Sequence, residues 1–65
     1  MKTQETILNE AIVKLQVALS NQSIAAYDAA EKMVENIDLS KVNEQLVNRY
    51  QELSTRCYML LSMHV

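Results

Sequence analysis

The sequence predicts an all-α fold, a small antiparallel three-helix domain. Gly and Pro are both absent from the 65 residues, which removes the residues that hairpins and positive-φ turns depend on. Hydrophobic residues make up 49% of the chain, with three Tyr and neither Phe nor Trp. They recur at steps of three and four over three stretches, the spacing that keeps one face of a helix apolar.

In the first stretch Thr3 is placed as an N-cap, and Glu5 falls in the first turn, where a carboxylate complements the helix dipole. Leu8, Ile12, Leu15 and Leu19 form the stripe, Ile7, Ala11 and Ala18 widen it, and Val13 and Val17 lie off it. This predicts a helix over 4–19. Ser20-Asn21-Gln22-Ser23 then interrupts the pattern, and Ser and Asn favour caps over helix interiors. Two readings stand: an inter-helix turn, or, with no glycine to form a C-cap, a helix running straight through. The second would give a two-helix hairpin that dimerises into a four-helix bundle.

The next predicted helix covers 24–37, with Tyr27, Ala30, Val34 and Ile37 on one face and Ala26 and Met33 beside them. Ala25, Ala26, Ala29 and Ala30 favour the helix and permit close approach. Asp38 is placed to cap the last helix, flanked by Ile37 and Val42 as a hydrophobic staple, with Ser40 as the alternative cap. That last helix is predicted over 39–63, about 37 Å long. Leu39, Val42, Leu46, Tyr50, Leu53, Cys57 and Leu60 form its stripe, and its length makes it the expected spine of the fold. Glu10–Lys14, Asp28–Lys32 and Glu52–Arg56 are favourable i,i+4 pairs that mark the wet faces.

A domain of this size buries only about 60% of its unfolded surface, so short chains usually add disulfides, a metal or a partner. Cys57 is the single cysteine, which excludes an internal disulfide. Cys57 and His64 are too few for a tetrahedral metal site, and no metal or cofactor is expected. Association, with itself or another protein, is the remaining route. Six basic and eight acidic residues are scattered along the chain, net −2, without the basic patch of a nucleic-acid binder. No apolar run reaches the length of a membrane span, and the polar N-terminus is not that of a signal peptide. One free thiol fits the cytoplasm.

No catalytic residue is expected. Cys57 lies on the core stripe, Arg56 points about 100° away from it, and seven residues along a helix put His64 about 10 Å further on. Glu31 and Glu35 share a face close to Lys32 and read as a solvated surface. Phosphate loops, catalytic triads and His-x-x-x-His pairs are missing. A helical DNA-binding regulator is the alternative class, reading bases with Lys41, Asn43, Gln45, Asn48 and Arg49. Asp38, Glu44 and Glu52 cancel its local positive charge.

The strongest functional signal is Cys57–Val65, with seven apolar residues in nine. At about 100° per residue they cover the whole helix circumference, and a helix apolar all round has to be covered all round. Two short companion helices leave part of it for another chain. The expected interface is Leu53, Cys57, Tyr58, Met59, Leu60, Leu61 and Met63, with the methionines suited to an adaptable surface. The expected function is a non-enzymatic protein-interaction module, acting as a homo-oligomer or as a small adaptor, chaperone or inhibitor. The stretch Tyr50–Val65, with the size and helical build, also resembles small co-chaperones of type III secretion needle subunits. That resemblance covers about a quarter of the chain, implies a secretion co-chaperone as a further alternative, and assigns no residue a role.

Overall fold

The computed structural model describes residues 3–62, which form three α-helices: α1 Gln4–Asn21, α2 Ile24–Val34 and α3 Glu44–Ser62, with a 3-10 turn at Leu39–Lys41 before the last. No strand occurs among the described residues. Cys57 of α3 sits beside Leu15 of α1, and Leu61 and Ala18 line one crevice, so α1 and α3 advance together. Helix α2 runs the opposite way, with Glu31 opposite Tyr50 and Ser54 and Ile24 near Tyr58 and Leu61. The result is up-down-up.

Thr3 caps α1, its side chain accepting the Thr6 N–H at 3.1 Å. At the other end the helix stops in a turn, which settles the two readings of Ser20–Ser23. Gln22 takes left-handed backbone angles, φ 53 and ψ 43, and its N–H bonds to the Ala18 carbonyl. The Ser23 N–H reaches the same carbonyl at 3.0 Å. A non-glycine residue in this region costs about 1–2 kcal/mol. Ser23 offsets much of that cost by capping α2, its Oγ accepting the Ala26 N–H at 3.2 Å, a bond worth about 1 kcal/mol at an N-cap.

The connection from α2 to α3 departs from expectation. Helix α2 ends at Val34, three residues short of Ile37, whose N–H closes a turn onto the Val34 carbonyl at 3.0 Å. Asp38 does act as a cap, but of a 3-10 turn: its Oδ1 accepts the Ser40 N–H at 3.1 Å and the Ser40 hydroxyl at 2.6 Å. Val42 is extended, φ −106 and ψ 156, and the helix predicted from Leu39 begins at Glu44. Asn43 starts it, accepting the Gln45 N–H at 2.8 Å. Two short side-chain acceptors, five residues apart, offer the backbone a local alternative to a continuous helix, and here they win. Val42 and Val47 thereby take the staple positions that Ile37 and Val42 were expected to hold.

The centre of the fold also moves. Leu8, Ala11, Ile12, Leu15 and Ala18 of α1 are buried, joined by Ala30 and Val34 of α2, Val42, and Tyr50, Cys57 and Leu61 of α3. Helix α1 packs extensively on both others, whereas α2 and α3 barely meet. The spine is α1, not the longer C-terminal helix. Small residues explain this: Ala11 and Ala18 on α1 and Ala30 on α2 let backbones approach while Leu8 and Leu15 fill the space between, each worth about 1.5–3 kcal/mol when fully buried. On α3 the inward seam runs through Val47, Tyr50, Ser54, Cys57 and Leu61, which turns Leu60 outward to 46% exposure.

Candidate functional site

Because α2 and α3 both lean on α1 without closing on each other, a seam separates them. One polar clasp bridges it. Glu31 projects from α2 and is half-buried, accepting the Tyr50 hydroxyl on Oε2 at 3.0 Å and the Ser54 hydroxyl on Oε1 at 2.8 Å. Tyr50 and Ser54 are four apart on α3, so one turn of helix presents both donors to the two oxygens of one carboxylate. Burial raises the Tyr50 hydroxyl well above the usual tyrosine range, and the Glu31 carboxylate raises it further. Tyr27, one turn before Glu31, is raised by the same two causes in the same order.

The clasp divides the seam into two depressions. One is lined by Ile24, Tyr27, Asp28, Tyr58 and Leu61. The other is lined by Glu31, Val34, Glu35, Leu39 and Tyr50. The reading of Glu31 as a solvated surface group is corrected by these contacts. Its partners lie 19 and 23 residues away, beyond any i,i+4 pattern, and its one local signal was its place a turn after Tyr27 on the apolar side of α2.

At the C-terminal end of α3 the predicted interface residues separate by direction. Cys57 is fully buried and Leu61 nearly so, while Tyr58, Met59 and Leu60 are 64%, 59% and 46% exposed. Leu53 is half-buried, and Met63 and His64 lie outside the described residues. With Cys57 and Leu61 inward, about 100° per residue carries Tyr58 to one flank, Met59 outward and Leu60 to the other flank. Tyr58 meets the α2 side and Leu60 the end of α1. The Ser62 hydroxyl donates back to the Tyr58 carbonyl.

Cys57 has the setting of a packed thiol. Its Sγ donates to the Leu15 carbonyl at 3.4 Å, and burial, followed by the Glu31 charge, pushes its pKa up, opposite to what a reactive thiolate requires. Among the described residues no cluster of three or more His, Cys, Asp or Glu could hold a metal ion. No helix among them is long and apolar enough to cross a membrane. Lys41, Asn43, Gln45, Asn48 and Arg49 are exposed, with Glu44 and Glu52 exposed beside them. Glu52 pairs with Arg56 at 3.4 Å.

No protein-family model matches the chain, and no curated protein or solved structure is significantly similar to it.

Proposed function

We propose that this chain is a protein-interaction module whose contact surface is the C-terminal end of α3. The observation that carries the reading is the exposure of Tyr58, Met59 and Leu60 in consecutive positions, which leaves Met59 facing outward and Tyr58 and Leu60 partly open on the two flanks. Single exposed apolar residues are ordinary, whereas contiguous ones are rare on monomers and mark interaction sites. The role is that of a subunit of a homo-oligomer, or of a small adaptor, chaperone or inhibitor of another protein. A catalytic role has less to stand on, since the single thiol is buried and the clasp carboxylate is already shared between two hydroxyls.

Sedimentation equilibrium over a hundredfold concentration range, with the Met59→Glu/Leu60→Glu variant alongside, reads out self-association. Photo-crosslinking in cells from an unnatural residue at position 59, against the same residue at the exposed outer position 16, reads out any partner. A discrete product from position 59, either the dimer or one heteromeric partner, is the expected result. Equal labelling from both positions sinks the reading.

A further inference from the structure

The contact surface proposed at Tyr58 continues into the seam between α2 and α3, and we infer that this furrow receives an amphipathic helix of a partner protein, basic along the edge that faces α2. The inference rests on the interaction-module reading and specifies the partner's chemistry.

Three observations support it. The first is the gap: both helices pack on α1 but barely on each other, so the furrow is built into the arrangement. The second is aromatic placement. The chain has three Tyr and no Phe or Trp, and Tyr27, Tyr50 and Tyr58 all line the two depressions of this one seam. Tyrosine is enriched at interface hot spots because its ring gives apolar area and its hydroxyl a polar end.

The third is charge. The α2 side bears Asp28 and, at its C-cap, Glu35 as open carboxylates, with Glu31 held in the clasp, against the single Lys32, whereas the α3 residues lining the depressions, Tyr50, Tyr58, Leu61 and Ser62, bear no charge. An incoming helix therefore meets a carboxylate rail on one side and a neutral aromatic wall on the other. Apolar residues at i and i+7 of the partner would enter the two depressions on either side of the Glu31 clasp, with one at i+3 lying across it, in the spacing of other helix-in-groove complexes, and with Lys or Arg on the flank toward Asp28 and Glu35. Helix α2 has 11 residues and spans about 16 Å, which matches about three turns of partner helix.

The probe is a synthetic helix of about five turns with Leu at those positions, one Trp, and Lys along one flank, together with a twin carrying Glu in place of Lys. Binding to the full chain is followed by energy transfer from the tyrosines to the probe Trp. The Lys probe is expected to bind at least tenfold tighter than its twin at low salt, with the gap narrowing as salt rises. Asp28→Lys/Glu35→Lys is expected to reverse the order. Glu5→Lys/Glu44→Lys, an equal charge change at exposed positions away from the furrow, is expected to preserve it. Circular dichroism confirms that each variant stays helical.

Equal affinity for the two probes, binding of neither, or reversal by both variants alike overturns the inference. If crosslinking from position 59 succeeds while the probes show no charge preference, the furrow is not the partner's seat and the α3 surface stands. Charge-dependent probe binding with equal labelling from positions 59 and 16 assigns recognition to the furrow and removes it from the α3 end.

Discussion

Along α1, Leu8, Ala11, Leu15 and Ala18 reach complete burial, and no polar or charged residue is buried with them. Across the α2–α3 seam a carboxylate shared by two hydroxyls does the joining, and the flanking side chains stay partly open. The two regions divide the tasks of a small chain. Close apolar packing around α1 supplies most of the favourable free energy, roughly in proportion to the area removed from water. The clasp adds about 1.5–3 kcal/mol per hydrogen bond to its carboxylate, a net figure because each exchanges water for protein. Beyond the clasp the seam leaves Asp28, Glu35 and Tyr58 exposed, while Tyr50 and Glu31 are taken up in joining the helices.

Substitutions on either side of that divide should differ sharply. Leu15→Ala removes a fully buried side chain and is expected to lower stability by about 2.7–5 kcal/mol, enough to unfold a domain of this size. Leu60→Ala, at an exposed site, should stay within about 0.5 kcal/mol. Urea titration followed by helical ellipticity compares them, and similar losses would erase the distinction.

Cys57 lies where α3 meets the spine, so Cys57→Ser places a hydroxyl at a fully buried position. A loss of about 1–3 kcal/mol is expected, with contact through Tyr58 and Met59 intact. A variant of normal stability that no longer binds would instead make the thiol functional.

Within the seam, Tyr50→Phe should cost about 1.5–3 kcal/mol at neutral pH, and its alkaline behaviour sharpens the contrast. The Tyr50 hydroxyl holds its proton more tightly in the fold than at its ordinary pKa of 10.0. Unfolding then releases a proton, so this stabilisation is complete below about pH 10 and is lost as pH rises toward the folded pKa. Denaturation midpoints measured from pH 8 to 11 should fall less steeply for Tyr50→Phe than for the native chain. Parallel slopes would place the alkaline sensitivity elsewhere. Outside both regions, Gln22→Gly relieves the left-handed turn and should raise stability by roughly 0.5–1 kcal/mol. A lower melting temperature would mean that the Gln22 side chain contributes contacts of its own.

Much of the fold is legible in the residues because it is local. The α1 stripe, the outward Val13 and Val17, the Thr3 cap and the apolar face of α2 follow from spacing and capping alone. The start of α3 misleads because Leu39, Val42 and Leu46 keep helical spacing across a segment that is not α-helical, while Asp38 and Asn43 bend the backbone through their own side chains. Length suggested α3 as the spine. The better indicator was side-chain size, since Ala11, Ala18 and Ala30 mark where helices come closest. At the candidate site, the exposed Tyr58 and Met59 are readable from apolar density, whereas the spacing puts Leu60 on the buried stripe that Leu61 occupies instead. The Glu31 clasp is not, because its donors come from another helix.

The central place of α1 also bears on the order in which the molecule assembles. Helices α1 and α2 are neighbours in sequence, joined by two residues, so their pairing needs little loop closure. Docking of α3 brings together residues far apart in sequence, Leu15 and Cys57 standing 42 positions apart. The α1–α2 hairpin is expected to lead, with α3 closing last. Ala30→Gly should then slow folding, while Cys57→Ala should chiefly hasten unfolding. A nascent chain would meanwhile carry the α3-facing side of α1 bare until the final helix arrives.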